Sequence, residues 1–251
     1  MTHSISGQQR PLRISFSGID GAGKSTQIDL LHDRLTASAM RVKLVAFWDD
    51  VAIFTRVRET AVHSLFKGEK GVGSPDRPVN RRDKNVRTWY MTAMRFVLYF
   101  LEALSLAKVA LASCDADVII FDRYLYDQLA NLPQQRFFTR LYSRLLLKLV
   151  PKPDIAYLID ADPEFARQRK PEYPLEFLRT IRSAYLILKD IGGMTLIPPG
   201  PVNDVADNVL KAFQQKLQNC VPVITLPRIS EQAVPPQHPA TSPFVPAEGR
   251  H

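Results

Sequence analysis

The stretch Phe16 to Gln27, FSGIDGAGKSTQ, decides the fold. In it Gly18, Gly23, Lys24 and Ser25 stand at the spacing G-x-x-x-x-G-K-[ST], with Asp20, Gly21, Ala22 and Thr26 completing the loop. An apolar run at residues 12–17 precedes it and a helical pattern at 24–39 follows, the context a phosphate-binding loop needs. The glycines let successive backbone N–H groups converge on phosphate oxygens, and the helix N-terminus adds its positive end. In such a loop Lys24 reaches the β- and γ-phosphates and Ser25 can hold Mg²⁺. A glycine turn with a chance lysine would lack this strand and helix, so a bound nucleoside triphosphate is expected on residues 18–26.

Outward from the loop, further Val, Ile, Leu and Phe runs at 41–47, 118–122, 155–160 and 194–198 predict buried parallel strands. Helical patterns lie between and after them, at about 87–112 and at 135–149, 163–188 and 204–218. The alternation predicts an α/β P-loop NTPase fold, a five-stranded parallel sheet with helices on both faces and its ligands at the carboxyl ends of the strands. The domain is expected over 12–218 with a lid at about 163–177, preceded by an extension at 1–11. A proline-studded tail without periodicity, expected to be disordered, occupies 219–251, and a Gly-, Pro- and Arg-rich connection spans 67–87.

With 251 residues, 45% of them hydrophobic and 23% charged, the chain is neither fibrous nor wholly disordered in composition. Its net charge of +8 favours anionic partners or simply a solvated basic surface. Cys114 and Cys220 lack metal-site spacing and disulfide density, which suits a reducing cytoplasm. The N-terminus has no apolar core of a signal peptide, and the most apolar run, 96–112, is interrupted by Glu102 and Lys108. No membrane span is expected, and the protein is read as cytoplasmic.

VIIFDRY, residues 118–124, ends a strand on Asp122, where P-loop proteins orient Mg²⁺ through water. A motor ATPase would follow that aspartate with a glutamate; here Arg123 follows. Arg123 either grips an acceptor phosphate with bidentate hydrogen bonds or pairs with Asp122 at the strand end. The Asn-Lys-x-Asp element of a GTPase is absent. After the fourth strand, Pro163 and Glu164 open a helix whose end collects Arg167, Arg169 and Lys170. These cations either stabilise charge on a transferring phosphoryl group from a closing lid or form a solvated face with Glu172 and Glu176.

GIDGAGKSTQ, DRY, PKPDIAYLIDADPE and FLRTIRSAYLIL together resemble the thymidylate kinase family of P-loop nucleoside monophosphate kinases, from about residue 12 to 218. The resemblance implies ATP- and Mg²⁺-dependent transfer of a γ-phosphate to a nucleoside monophosphate, dTMP being the first guess. It implies Lys24 on the transferring phosphates, Ser25 and Asp122 on the metal, Asp20 near the acceptor and Arg123 on the acceptor phosphate. With Ala22 in the loop and Arg167, Arg169 and Lys170 beyond it, the chain is similar to the lid-arginine kind. IPPGPVND falls where that family cradles adenine.

The acceptor side departs from the pattern. FWDD replaces the family's Arg-Glu-Pro-Gly element, LYDQLANLPQ follows DRY, the lid is short, and Arg95 lies farther upstream than the acceptor-binding arginine. Asp49 and Asp50 therefore either bind or deprotonate a hydroxyl acceptor, such as a nucleoside or sugar, or form a solvated pair. Trp48 is expected to pack beneath the cleft, while Tyr124 either stacks on a base or fills the core. A third reading, a nucleotide-binding interaction protein, rests on Arg77, Arg81, Arg82 and Arg87, but weak aromatic interleaving argues against nucleic acid. A homodimer stays open.

Overall fold

Runs of Val, Ile and Leu form strands here because helices cover both faces of the sheet they build. The computed structural model describes residues 10–51, 89–112 and 115–220. β1 (Leu12–Ser17), β2 (Val42–Ala46), β3 (Val118–Asp122), β4 (Ile155–Ile159) and β5 (Thr195–Ile197) form one parallel sheet in the order β2-β3-β1-β4-β5. The expected P-loop architecture is therefore present. Around the sheet lie α1 (Lys24–Ala37), α2 (Trp89–Leu111), α3 (Leu125–Leu129), α4 (Phe137–Leu149), α5 (Pro163–Arg169), α6 (Leu175–Gly192) and α7 (Val202–Cys220).

β1 is central, and Phe16 pairs with Asp122 of β3 on one side and Tyr157 of β4 on the other. β1 connects to β2 across β3, and β3 connects to β4 across β1, so the winding reverses beside the end of β1. Open α/β sheets bind ligands in that crevice. Beneath it the core is continuous: Phe16 and Tyr157 place their rings 5.0 Å apart, and the Tyr157 hydroxyl donates to the carbonyl of Val209 at 2.8 Å, fastening α7 to the sheet.

Three elements differ from the pattern reading. The helix expected over 163–188 is two helices, because Pro171 and Pro174 fall inside it and proline supplies no N–H for the helical ladder. The strand expected to run through Phe47 stops at Ala46, and Phe47–Val51 coils into a π-helical turn. α3, which the sequence pattern does not announce, follows DRY directly. Among the described residues no helix is long and apolar enough to cross a membrane. The Arg-rich connection and the tail beyond Cys220 lie outside the described residues, as does the N-terminal extension up to residue 9.

Candidate active site

The loop after β1 takes a shape that only glycine tolerates at two tight points. Gly18 has φ 147°, and a Cβ there would lie 2.4 Å from the carbonyl oxygen of Ile159 in β4. Gly21 has φ 86°, and its Cβ would lie 2.2 Å from the carbonyl oxygen of Ala166 in α5. α5 thus rests directly on the loop. Ala22 is buried beneath it, and Ser25 and Thr26 are exposed in the first turn of α1.

Lys24 is buried, and its ammonium donates to the carbonyls of Gly18 and Ile19, at 2.9 Å each. Burial, then the neighbouring Arg123, lowers its pKa to about 8, against the pull of Asp20, Asp127 and Asp122. It remains charged at neutral pH and is held where the phosphate oxygens of a nucleotide would converge.

Arg123 ends β3 with φ 70°, and its backbone N–H donates to Phe16 at 3.0 Å, which turns the side chain into the crevice. Its guanidinium donates to Asp20 at 2.5 Å and to Asp127 at 3.5 Å. The alternative pairing with Asp122 is thereby replaced by one with Asp20. Burial works against the charge of Arg123, but Asp20 and Asp127 outweigh it and raise its pKa. Asp127 is the hub that sequence reasoning misses: it accepts from Ser17 Oγ at 2.6 Å, Tyr185 Oη at 2.8 Å and the Tyr124 backbone N–H at 3.1 Å. LYDQL has no apolar period, and its carboxylate reads as a surface one.

Asp122 is partly shielded, and burial raises its carboxyl pKa despite the nearby Arg123 and Lys24. Among the described residues no cluster of three or more His, Cys, Asp or Glu side chains could enclose a metal. A cation here would rest on Ser25, Asp122 and the phosphate oxygens themselves, the donor set Mg²⁺ accepts with its remaining waters.

α5 is locally well made. Asp162 caps α5, its carboxylate accepting from Glu164 N at 2.9 Å and Phe165 N at 3.4 Å, with Pro163 in the first turn. Arg179 of α6 bridges Glu164 and Glu176, and Arg182 holds Asp160 with two bonds of 2.7 Å. Of the three cations at the end of α5, Arg169 reaches the loop: its Nη1 lies 3.6 Å from where a Cβ of Gly23 would be. Arg167 is partly buried, and Lys170 pairs with Glu172 at 3.3 Å.

Beside the loop a cleft of about 20 Å³, room for about one water, is lined by Asp20, Arg123, Asp127, Trp48, Phe177 and Tyr185 among others. Trp48 is half-buried, packed against the core, and also forms wall. Tyr124 does not reach the cleft. It is fully buried, and its hydroxyl donates to Pro151 at 2.5 Å, so it belongs to the core. Asp50 accepts from the Ala46 N–H at 2.8 Å and so holds the π-helical turn, and Asp49 is exposed beside it. Arg95 is buried on α2 and is not among the residues that line this cleft.

A probable thymidylate kinase of Pyrobaculum aerophilum is 30% identical over 216 residues, covering 81% of this chain and 98% of that protein. The chain belongs to the thymidylate kinase family. A probable thymidylate kinase of Archaeoglobus fulgidus is 23% identical over 211 residues, covering 81% of this chain and 95% of that one. The crystal structure of thymidylate kinase from Ehrlichia chaffeensis shares the fold, with a TM-score of 0.53 at 20% identity, covering 82% of this chain and 100% of that one. No family model matches the chain. As a thymidylate kinase family member it is a phosphotransferase of the nucleoside monophosphate kinase type, and the crevice just described is the active-site candidate of such an enzyme.

Proposed function

We propose that the enzyme transfers the γ-phosphate of ATP, with Mg²⁺, to a nucleoside monophosphate, dTMP first. The observation that carries this reading is the placement of two arginines against one phosphate loop: Arg169 beside Gly23, and Arg123 bonded to Asp20 in the neighbouring cleft. One suits the donor phosphates and the other an acceptor phosphate, and the relatives named thymidylate kinase support the acceptor class.

In this reading residues 12–218 are the kinase domain and 163–177 its lid. Gly18, Asp20, Gly21, Ala22, Gly23, Lys24, Ser25 and Thr26 form the donor loop, and Lys24 leaves the carbonyls of Gly18 and Ile19 for phosphate oxygens. Ser25 and Asp122 would hold the metal, which would supply charge neutralisation to the transferring phosphates. Arg123 exchanges Asp20 for the acceptor phosphate while Asp127 keeps its guanidinium aimed. Arg169 meets the charge that develops on the transferred group, with Arg167 behind it. The residues position and neutralise, which is what a loose phosphoryl transition state asks of a protein. The bond between the γ-phosphorus and its bridging oxygen breaks as one to the acceptor phosphate oxygen forms, giving ADP and the diphosphate.

The hydroxyl-acceptor reading draws nothing from Asp50, whose carboxylate is engaged with Ala46. The test is ADP release with Mg-ATP and, in turn, dTMP, dUMP, other monophosphates and thymidine. Turnover with dTMP above the rest is expected. Turnover with thymidine alone, or with none of the monophosphates, would sink the reading.

A further inference from the structure

α4 carries its apolar face outwards. Phe137, Phe138, Leu141, Leu145 and Leu149 are all exposed, Phe138 at 79%, while the polar Thr139 and Ser143 of the same helix are buried. At about 100° per residue the five outward positions fall within about a third of the helix circumference. The rotation that turns them out is held from the other side. The Tyr142 hydroxyl donates to the carbonyl of Phe96 on α2, with the two rings 4.3 Å apart, and Gln134 Nε2 donates to Ser143 Oγ at 3.1 Å. A helix that only covered the sheet would place its leucines where Thr139 and Ser143 lie.

A row of cations runs alongside this stripe. Arg136, Arg140, Arg144 and Lys148 recur every four residues, each one position before Phe137, Leu141, Leu145 and Leu149, and Lys152 follows beyond the helix. All are exposed except Arg140, which is half-buried. No Asp or Glu occurs between Asp127 and Asp154, and none of these cations forms an ion pair among the described residues. Asp154 itself is taken by Arg10 at 2.8 Å.

An exposed apolar stripe beside an acid-free basic row is the pattern of a helix lying in the surface of an anionic bilayer. Its Phe and Leu side chains enter the acyl boundary, and the long arginine and lysine side chains reach the phosphates beside them. A second copy of the chain on this face would bring two basic rows together with no acid between them, which like-charge repulsion opposes. We propose that α4 docks the enzyme on an anionic phospholipid surface, with its Phe and Leu stripe inserted and its basic row on the headgroup phosphates. No residue of α4 lines the cleft beside the phosphate loop, so docking uses none of the side chains assigned to phosphate transfer. The docking does not depend on which acceptor the active site phosphorylates.

Co-sedimentation of the full chain with vesicles of phosphatidylcholine alone, and of phosphatidylcholine with an equal part of phosphatidylglycerol, tests it. The anionic vesicles are expected to bind at least about tenfold more tightly, and added salt to weaken that binding. Two variants separate insertion from the bare attraction of a basic protein: Phe138→Ser/Leu145→Ser and Arg144→Gln/Lys148→Gln. All four side chains are exposed, so the fold has little to lose, and circular dichroism checks that it is kept. Each variant is expected to lose about tenfold or more in affinity for the anionic vesicles. Equal binding to both vesicle types, binding to neither, or wild-type binding by Phe138→Ser/Leu145→Ser overturns the proposal. If the wild type ignores vesicles and sediments as a dimer that this same variant disperses, the face belongs to a second copy and the proposal fails.

Discussion

Lys24 carries the clearest single-residue consequence. Burial, with Arg123 close by, brings its pKa down to about 8 in the empty enzyme, whereas donor phosphates favour the charged ammonium. On the proposed function, affinity for ATP is therefore expected to be full below that value and to fall as pH rises through it, approaching about tenfold per pH unit. Calorimetric titration from about pH 7 to about 9.5 checks this; a flat dissociation constant across the range is the contrary result. Lys24→Met is expected to weaken binding throughout and to remove the break. The loop residues are legible in the sequence because their spacing has a chemical purpose of its own, which no packing context alters. Asp127 is not legible, since a carboxylate inside LYDQL acquires its importance only when the fold brings Ser17, Tyr185 and Arg123 around it. Tyr124 is ambiguous for the same reason: a tyrosine after DRY's arginine suits a base or a core equally until Pro151 is placed beside its hydroxyl.

Among the elements, the proposed lid shows how local signals add up. Asp162 and Pro163 start α5, Pro171 and Pro174 separate it from α6, and the close approach of Ala166 to Gly21 sets its height above the loop. The helix ends at Arg169, and the cations there diverge, with Arg169 beside Gly23 and Lys170, just past the end, paired with Glu172. Arg169→Ala is accordingly expected to lower kcat by about 10³-fold, while Lys170→Ala, which removes an exposed ion pair, stays within about twofold. Rapid-quench single turnover separates this from slow product release; equal losses for the two variants would refute the assignment. The strands are legible because runs such as VIIFD and IAYLI are buried on both faces. The split of 163–188 is written in its two prolines, but apolar periodicity alone passes over them. The π-helical turn at Phe47–Val51 has no periodic signature, and Asp50 shapes it through a bond to Ala46 that no spacing announces.

For the whole molecule, among the described residues, the covering helices leave apolar stripes at the surface on α2 and on α4, the latter through Phe138, Leu141, Leu145 and Leu149. Val97, Leu101, Leu104 and Leu111 of α2 are 64%, 37%, 41% and 69% exposed, and they recur at helical spacing along one face. The central position of β1 has a different consequence, in time. Its partners, β3 and β4, are made only when synthesis has passed Asp122 and then Ile159. Pairing so distant in the chain is slow to form. A nascent chain still on the ribosome therefore carries FSGIDGAGKSTQ for most of its synthesis without the frame that shapes it, and nucleotide can stabilise the protein only after β4 has emerged.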